Sequence, residues 1–600
     1  MVIVLLLVLI VITLSIPSVQ TYIAKKVTTN LNETYCTDIN IHRIGLNLKA
    51  EVDIRDVYIA DHHKDTLIYV NQLQTNILSI RNLIDGDLDF GKISLNNARL
   101  YVKKYKDEPD DNLFVFSEKF NNGKPSTEVF HLDGNEVSLV NSHIKISDEN
   151  QANETTLDLT NFNIAASNFN ITGPDVKAKI LSLATNMDPG TVIKDLQGDF
   201  LYTLDVIQID NLAVETNHSV LRADLVLHHG KSGFSDFNNK MFIEANFKNT
   251  QVSTNDLNTF YNEFGKNQII NLDGAFSGTL NNFTFNDVRL TTLKSTISGN
   301  FHLVNIFDSE ATNDLQLNNH SISTSYFELG RFMPRVLGGV LTKEVKNLGQ
   351  FQYIGYTRIK GEYLTTNSTL RSAIGNAKTN FSMGNINDIN NAFYEGNIEL
   401  QDFNLGKIVG STSFGETTAN LDFDGRGFTQ QTVNTQIIGT IDAFTFEDYK
   451  YINIAVAGNL SNPLFNGNLT INDPNLKLDF KGLVDVSKDF NQYDFEADVA
   501  FAELNKLNLI KRDSISVFAG KVLMDMDGTT IDNAIGTIQF NETFYQNERE
   551  NYFFDDFQVI SSFKDALRTI EIKSPDIING QISGNFLIED IPNLFKNGIG

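Results

Sequence analysis

The sequence predicts a mainly β protein, with an N-terminal transmembrane helix followed by a long, repetitive, curved antiparallel β-sheet. From about residue 38 onward apolar and polar residues alternate, as in TLDLTNFNI (156–164) and NLKLDFKGLVDV (475–486), which is typical of strands with one wet and one buried face. Asn, Asp and Gly interrupt these runs at turn-like intervals of roughly 8–15 residues. Only 10 prolines occur among 600 residues, so little interrupts a hydrogen-bond ladder.

The first element is an apolar segment, residues 1–16, followed by Pro17. As a helix it spans about 24 Å, less than the roughly 30 Å hydrocarbon core, but residues 17–26 continue as a helix-compatible segment. No small-residue cleavage site follows, so we predict an uncleaved signal-anchor over residues 1–24, with a cleaved signal as the alternative. Lys25 and Lys26 follow the segment and no basic residue precedes it, which opposes export under the positive-inside rule. Long domains translocate largely regardless of that rule, and a basic segment upstream of Met1 would remove the conflict.

Short helices are predicted between the strands because amphipathic segments recur at separations of about 70–100 residues, as in an irregular repeat. We expect them at residues 79–86, 113–120, 254–264, 325–337, 400–409, 501–512 and 587–598. The polar connector 104–112 and the loop 121–127 divide the chain into an N-terminal α+β region, residues 25–125, and a repetitive β region, residues 126–600. Chance recurrence of amphipathic turns is the alternative.

Composition and motifs argue against catalysis. The formal charge of −26 repels phosphate backbones, so no nucleic-acid partner is expected. A single cysteine, Cys36, excludes an intrachain disulfide framework and cysteine-cluster metal sites. The cluster Asp61, His62, His63 and Asp65 is interpreted as a solvated turn, because adjacent histidines on a strand point to opposite sides. We predict no enzyme activity, no catalytic or metal site and no cofactor.

A long sheet with one apolar face must bury that face against a second layer, in a closed barrel or against a bound ligand. Clear domain boundaries typical of sandwiches are missing, and the predicted helices are too short to cover the sheet. We therefore predict a U-shaped trough whose inner face binds hydrocarbon chains, with an ordinary dry core as the alternative. Candidate groove-lining residues alternate correctly for one face: Ile297, Phe301, Leu303, Leu469, Ile471, Leu476, Leu478 and Phe480.

The N-terminal region resembles the TamB group of the AsmA-like superfamily, in particular its Bacteroidota-type members. The segments that carry the resemblance follow in the expected order: LSIPSVQTYIAKKVTTNLN (14–32), INIHRIGLNLKAEVDIRDVYIADHHKDTLIYVNQLQTNI (39–77) and ISLNNARLYVKKYKDEPDDNLFVF (93–116). The irregular β repeats continue the likeness more diffusely to Gly600. Members are longer and end in a characteristic C-terminal domain, so the resemblance implies an N-terminal part of such a protein.

The resemblance implies a bridge anchored in the inner membrane by a single pass, with the bulk of the chain in the periplasm. It implies a role in outer-membrane biogenesis, namely phospholipid transport between the membranes, with phospholipid acyl chains as partners. An alternative within the family is translocation and assembly of outer-membrane proteins or autotransporters with a barrel partner of the TamA type. A cell-surface β-solenoid adhesin is the alternative outside it.

Overall fold

The computed structural model describes residues 17–47, 49–79, 88–119, 131–150, 155–187, 190–230, 233, 236–260, 262–306, 308, 310–337, 343–429, 432–461, 464–486, 491–565 and 567–591. The prediction of a mainly β chain is confirmed: thirty strands dominate these residues. The chain divides into two compact units, residues 1–308 with 331–338 and residues 309–330 with 339–600.

The first unit is a sheet in which each strand pairs with the next strand along the chain. Its strands are β1 (Asp38–Leu46), β2 (Glu51–Ala60), β3 (Thr66–Ile77), β4 (Leu88–Lys104), β5 (His131–Asp148), β6 (Thr155–Thr172), β7 (Asp175–Met187), β8 (Thr191–Tyr202), β9 (Val206–Thr216), β10 (Val220–His228), β11 (Phe242–Ser253), β12 (Ile269–Thr279), β13 (Asn282–Thr292) and β14 (Ser295–Val304).

The expectation of a wholly antiparallel sheet is wrong at one place. Strands β4 and β5 are parallel, with Leu88 opposite Leu132 and Lys104 opposite Asp148. A parallel pair needs a crossover rather than a tight turn, and the described part of this connection, residues 105–119, includes a short helix at Asn112–Glu118. The predicted boundary at residue 125 lies outside the described residues.

The second unit repeats the antiparallel plan, and each strand pairs with its sequence neighbour from β15 to β30. Its strands are β15 (Asp314–Ser325), β16 (Gln350–Lys360), β17 (Tyr363–Ser372), β18 (Gly375–Gly384), β19 (Phe393–Asn404), β20 (Phe414–Arg426), β21 (Asn434–Phe446), β22 (Tyr449–Ser461), β23 (Leu464–Asp473), β24 (Leu476–Asp485), β25 (Gln492–Glu503), β26 (Ser516–Asp527), β27 (Ile535–Asn547), β28 (Asn551–Lys564), β29 (Leu567–Lys573) and β30 (Gly580–Gly584).

Helices are short after the first one. The described helices are α1 (Pro17–Tyr35), α2 (Asn112–Glu118), α3 (Phe237–Lys240), α4 (Thr254–Phe260), α5 (Tyr326–Phe332), α6 (Pro334–Leu337) and α7 (Leu405–Val409), with 3-10 turns at Lys343–Leu348 and Ile588–Asp590. The helices predicted at 113–120, 254–264 and 325–337 are confirmed in substance. Residues 80–87 and 592–600 lie outside the described residues, and with them most of the predicted helices at 79–86 and 587–598.

The helix predicted at 400–409 is confirmed only in its second half and the one at 501–512 is wrong, for the same physical reason. Residues 400–404 complete strand β19, and only Leu405–Val409 form a helix. Residues 501–503 likewise complete β25, and the following residues form turns, with Leu504 N–H donating to the Ser516 carbonyl at 2.7 Å. In both cases ladder pairing to neighbouring strands overrides a helical spacing of leucines.

Helix α1 covers the free edge of β1 with side-chain amides and hydroxyls. The Asn32 side-chain amide accepts from the Ile39 N–H and donates to the Ile39 carbonyl, both at 2.9 Å. The Gln20 side-chain amide accepts from the Leu46 N–H at 2.6 Å and donates to the Leu46 carbonyl at 2.7 Å. These side chains therefore occupy the positions of a further strand and protect the edge from other chains. Residues 1–16 lie outside the described residues, and no described helix combines the length and apolarity needed to cross a membrane. The transmembrane helix stays a prediction.

Glycine permits backbone conformations in the strands that other residues avoid. Gly482 in β24 has φ +142°, and a Cβ added there would lie 2.3 Å from the Asp494 carbonyl oxygen and 2.5 Å from Phe495 Cα on β25. Gly355 and Gly396 have similar φ values of +145° and +152°. This region of φ is essentially restricted to glycine, so these residues fix local strand geometry.

We expect Gly482→Ala to destabilise the second unit by about 1–3 kcal/mol, because it adds backbone strain and a clash with the neighbouring strand. Gly580→Ala is the matched control, since a Cβ at Gly580 meets nothing within 4 Å. Chemical denaturation of both variants measures the difference. Equal stability of the two variants would contradict this assignment.

Candidate functional site: an apolar sheet face and a polar cluster

Cross-strand register gathers apolar side chains into rows. Residues directly opposite each other on paired strands share a face, so a row is followed from one pairing to the next. One such row crosses eleven strands of the first unit, from β4 to β14. It consists of Leu88, Leu132, Ile171, Val176, Tyr202, Ile207, Leu227, Ile243, Gly278, Phe283 and Leu303. We call it the first-unit apolar row.

The other face of the same strands is polar. On each strand, the residue next to the row member points to the opposite side of the sheet. These neighbouring residues are Asp89, Asp133, Asn170, Lys177, Leu201, Gln208, Val226, Glu244, Ser277, Thr284 and His302. Because only Leu201 and Val226 are apolar there, the sheet of the first unit has one apolar and one polar face.

The second unit has the same construction. Its apolar row crosses β15 to β26 and consists of Ile322, Tyr353, Leu370, Ala377, Leu400, Ala419, Ile441, Ile454, Ile471, Leu478, Val499 and Gly520. We call it the second-unit apolar row. A neighbouring row on the same face, the half-buried row, crosses β19 to β28 and consists of Ile398, Leu421, Gly439, Val456, Leu469, Phe480, Ala497, Val522, Phe540 and Phe557.

The predicted groove residues lie on these faces. Ile297, Phe301 and Leu303 on β14 lie opposite Leu290, Phe285 and Phe283 of β13. In the second unit, Leu469 lies opposite Phe480, and Ile471 lies opposite Leu478, while Leu476 lies opposite Asp473 and Ala502. Ile471 is buried and the other seven are half-buried. The structure therefore places them together within each unit, and their role as a groove lining stays a prediction.

Short segments cover only parts of the apolar face. Leu348, Leu405 and Ile408 pack on the buried residues Ala377, Leu400, Phe403 and Ala419. The turn after β25 supplies Leu504 and Leu507, which pack with Tyr451, Ile454 and Ile471. By contrast, the half-buried row keeps partial exposure in every member except Ala497. The helices thus act as caps, as predicted, and leave part of the face accessible.

A polar cluster lies at the N-terminal end of the first unit, and sequence reasoning missed its geometry. His62 and His63 lie in the turn between β2 and β3, as expected, but the prediction that they point apart is wrong. In a turn the strand alternation does not apply, and both Nε2 atoms contact Glu108, at 2.8 Å and 2.7 Å. The three ligand atoms lie within 4.8 Å of one another. Glu108 is 45 residues from His63, so no local motif indicated this convergence.

The turn is held rigidly by a buried carboxylate. Asp61 Oδ1 accepts the backbone N–H groups of His63 and Asp65 at 2.8 and 2.9 Å. Asp61 Oδ2 accepts the Tyr105 hydroxyl at 2.7 Å and the Asn112 amide at 2.8 Å. Asp61 is therefore the centre of the network that joins the turn to residues 105–112.

Hydrogen bonding sets the ionisation of the cluster. Burial alone raises the pKa of the Asp61 carboxyl, but the bonds from Asn112, Tyr105 and the backbone outweigh burial and lower it. Hydrogen bonds from His63 and His62 lower the pKa of Glu108. An ionised carboxylate only accepts, so both imidazoles donate from Nε2 to Glu108.

The other sequence patterns form no convergent site. Asp422, Asp424, Asp525 and Asp527, which form two D-x-D-G patterns, lie exposed on strands. The adjacent pair His228 and His229 diverges: His228 contacts Glu244 at 3.3 Å, whereas His229 is buried against the Thr203 and Gly230 carbonyls.

No family model, curated protein or solved structure matches this chain.

We expect Asp61→Asn to destabilise the first unit by about 1–3 kcal/mol at pH 7, because an amide leaves unpaired at least one of the four donors that the carboxylate accepts, of which Tyr105 and Asn112 bond it in buried positions. Since the folded pKa of Asp61 is lowered, its contribution is fully present above the ordinary value of 3.8 and is lost as the pH falls through the folded value. Denaturation of parent and variant between pH 7 and pH 2 measures this.

Asp424→Asn, on the exposed face of β20, is the control and should change stability little at either pH. A destabilisation by Asp61→Asn that persists unchanged below pH 3 would contradict the ionised-acceptor role.

Proposed function

We propose that the apolar sheet faces bind hydrocarbon chains of membrane lipids and carry them through water. The observation that supports this most directly is the half-buried row, which continues through ten consecutive strands without a charged or polar side chain. At about 4.8 Å per strand the row extends over about 43 Å of sheet.

Such a face is needed because exposing an acyl chain to water is costly in free energy. Each methylene group kept out of water stabilises the lipid by about 0.8 kcal/mol, so a lipid between membranes needs an apolar surface along its whole path. A row of half-buried Leu, Ile, Val and Phe provides that surface without closing it. The opposite face carries a polar row, with more acidic than basic residues, that keeps the sheet in water. This polar row consists of Glu399, Asn420, Thr440, Ala455, Thr470, Asp479, Asp498, Lys521, Asn541 and Asp556.

The wider proposal follows the resemblance. We propose that the chain acts as a TamB-like bridge, anchored in the inner membrane by residues 1–24, curved into a U-shaped groove, with its bulk in the periplasm and a role in outer-membrane biogenesis. The competing function is assembly of outer-membrane proteins with a TamA-type partner, in which the apolar face would hold a polypeptide.

A photocrosslinking experiment separates these functions. A photoreactive phenylalanine analogue is incorporated in cells at Leu469, on the half-buried row, or at its neighbour Thr470, on the opposite exposed face. We expect phospholipid adducts at position 469 and none at 470, because the two side chains point to opposite sides of β23.

Protein adducts at position 469 would support the assembly function instead. The absence of any adduct, in a chain that is folded by protease resistance, would indicate a covered face and overturn the proposal.

A charge on the half-buried row should block transport without unfolding the chain. We expect Phe480→Lys to reduce the lipid adduct at position 469 at least about 10-fold, because an ammonium group binds water and disfavours hydrocarbon beside it. Thr440→Lys adds the same charge to the polar face of β21, where Thr440 is exposed. It should leave the adduct unchanged; equal loss in both variants would contradict a face-specific path.

A further inference from the structure

The cluster of His62, His63 and Glu108 has the donor set of a zinc site, and the lipid-binding proposal does not use it. Two imidazoles and one carboxylate, with a water in the fourth position, are a recurrent Zn²⁺ ligand set. We propose that His62, His63 and Glu108 bind one Zn²⁺ ion through the two Nε2 atoms and a Glu108 oxygen.

The ligand spacing fits after a small expansion. The Nε2 atoms lie 2.8 and 2.7 Å from the Glu108 oxygens, as hydrogen-bonded donors and acceptor. Tetrahedral zinc with bonds of about 2.0–2.1 Å separates its ligand atoms by about 3.3 Å. His62 contacts Oε2 and His63 contacts Oε1, so binding through one oxygen requires the carboxylate to turn while the contacts lengthen by about 0.5 Å and the metal replaces the Nε2 protons.

The surrounding residues hold the ligands in place before any ion binds. Asp61 fixes the backbone of the histidine turn, and Lys64 closes that turn with φ +67°. The Tyr105 ring lies 3.9 Å from the His63 ring, centroid to centroid, and its hydroxyl donates to Asp61 and to Asp65 at 2.9 Å. Such supporting contacts orient ligands in metal sites.

The surroundings of His62 Nδ1 set the expected affinity for Zn²⁺. Nδ1 of His62 is buried and has no hydrogen-bond partner among the described residues, whereas zinc-bound histidines ordinarily donate their second N–H. Metal on Nε2 places a proton on Nδ1 and leaves it unpaired. His63 is exposed, so water pairs its Nδ1. We therefore expect micromolar rather than nanomolar binding.

Direct titration of the full chain, without a polyhistidine tag, tests the site. We expect Zn²⁺ to bind at one ion per chain by calorimetry, and Co²⁺ to give the visible ligand-field absorption of tetrahedral coordination. His63→Ala and Glu108→Gln should each weaken Zn²⁺ binding at least about 30-fold. His228→Ala is the matched control, because His228 also pairs with a glutamate, Glu244, but lacks a convergent neighbour.

Glu108→Gln preserves the size of the side chain and guards against loss of folding, which thermal unfolding of each variant monitors. Folded parent protein that gives neither binding heat nor a Co²⁺ spectrum at millimolar metal would overturn the site. Equal Zn²⁺ affinity in the parent and in folded Glu108→Gln would also overturn it. Neither outcome affects the lipid-binding proposal, which rests on other residues.

Discussion

The cross-strand register is the constraint on which the rest of this structure depends. Because side chains alternate with a period of two, a slip of one residue would move an entire row from the apolar face to the polar face. Each row in the two units continues across ten or more strands only because every neighbouring pair keeps its alignment. The apolar face is thus a property of the ladder as a whole.

Bulges show how the register survives extra residues. On β11, Phe247 lies opposite Gly274 and Thr250 opposite Leu272, so β11 holds one more residue than β12 over this stretch. Asn249 absorbs it in the left-handed conformation, with φ +52°, and its N–H donates to Asp273 at 2.6 Å. Asn211, at φ +54°, does the same with Asp224. Asn tolerates this conformation better than most residues, which gives a structural reason for many of the asparagines.

How much the sequence predicts depends on how local each feature is. Alternation alone predicts the strands and the common face of Leu469 and Ile471, because period two needs no knowledge of partners. Alternation does not predict the parallel β4–β5 pair, since the direction of a strand depends on the path of the connecting residues. The helical spacing of leucines misassigns residues 501–503, because their pairing to β26 outweighs it. The convergence of His62 and His63 on Glu108 escapes both patterns entirely, because that contact depends on how the turn at 61–65 meets the residues after β4.

Because each strand pairs only with its neighbours along the chain, the proposed lipid-binding residues and the residues that stabilise the fold can differ in such a sheet. Each strand draws its ladder bonds from the strands on either side, so stability is close to a sum of local terms, as in repeat proteins. A half-buried side chain such as Phe480 contributes packing to its own strand and to Leu469 opposite, while the more deeply buried Ile454 and Ile471 hold the core beneath the caps. The residues that we propose contact hydrocarbon therefore overlap only in part with the buried clusters: Phe480 lies outside the Ile454 cluster, whereas Leu469 packs against it. An elongated apolar surface can remain uncovered because its exposure costs stability locally, where the capped clusters compensate for it.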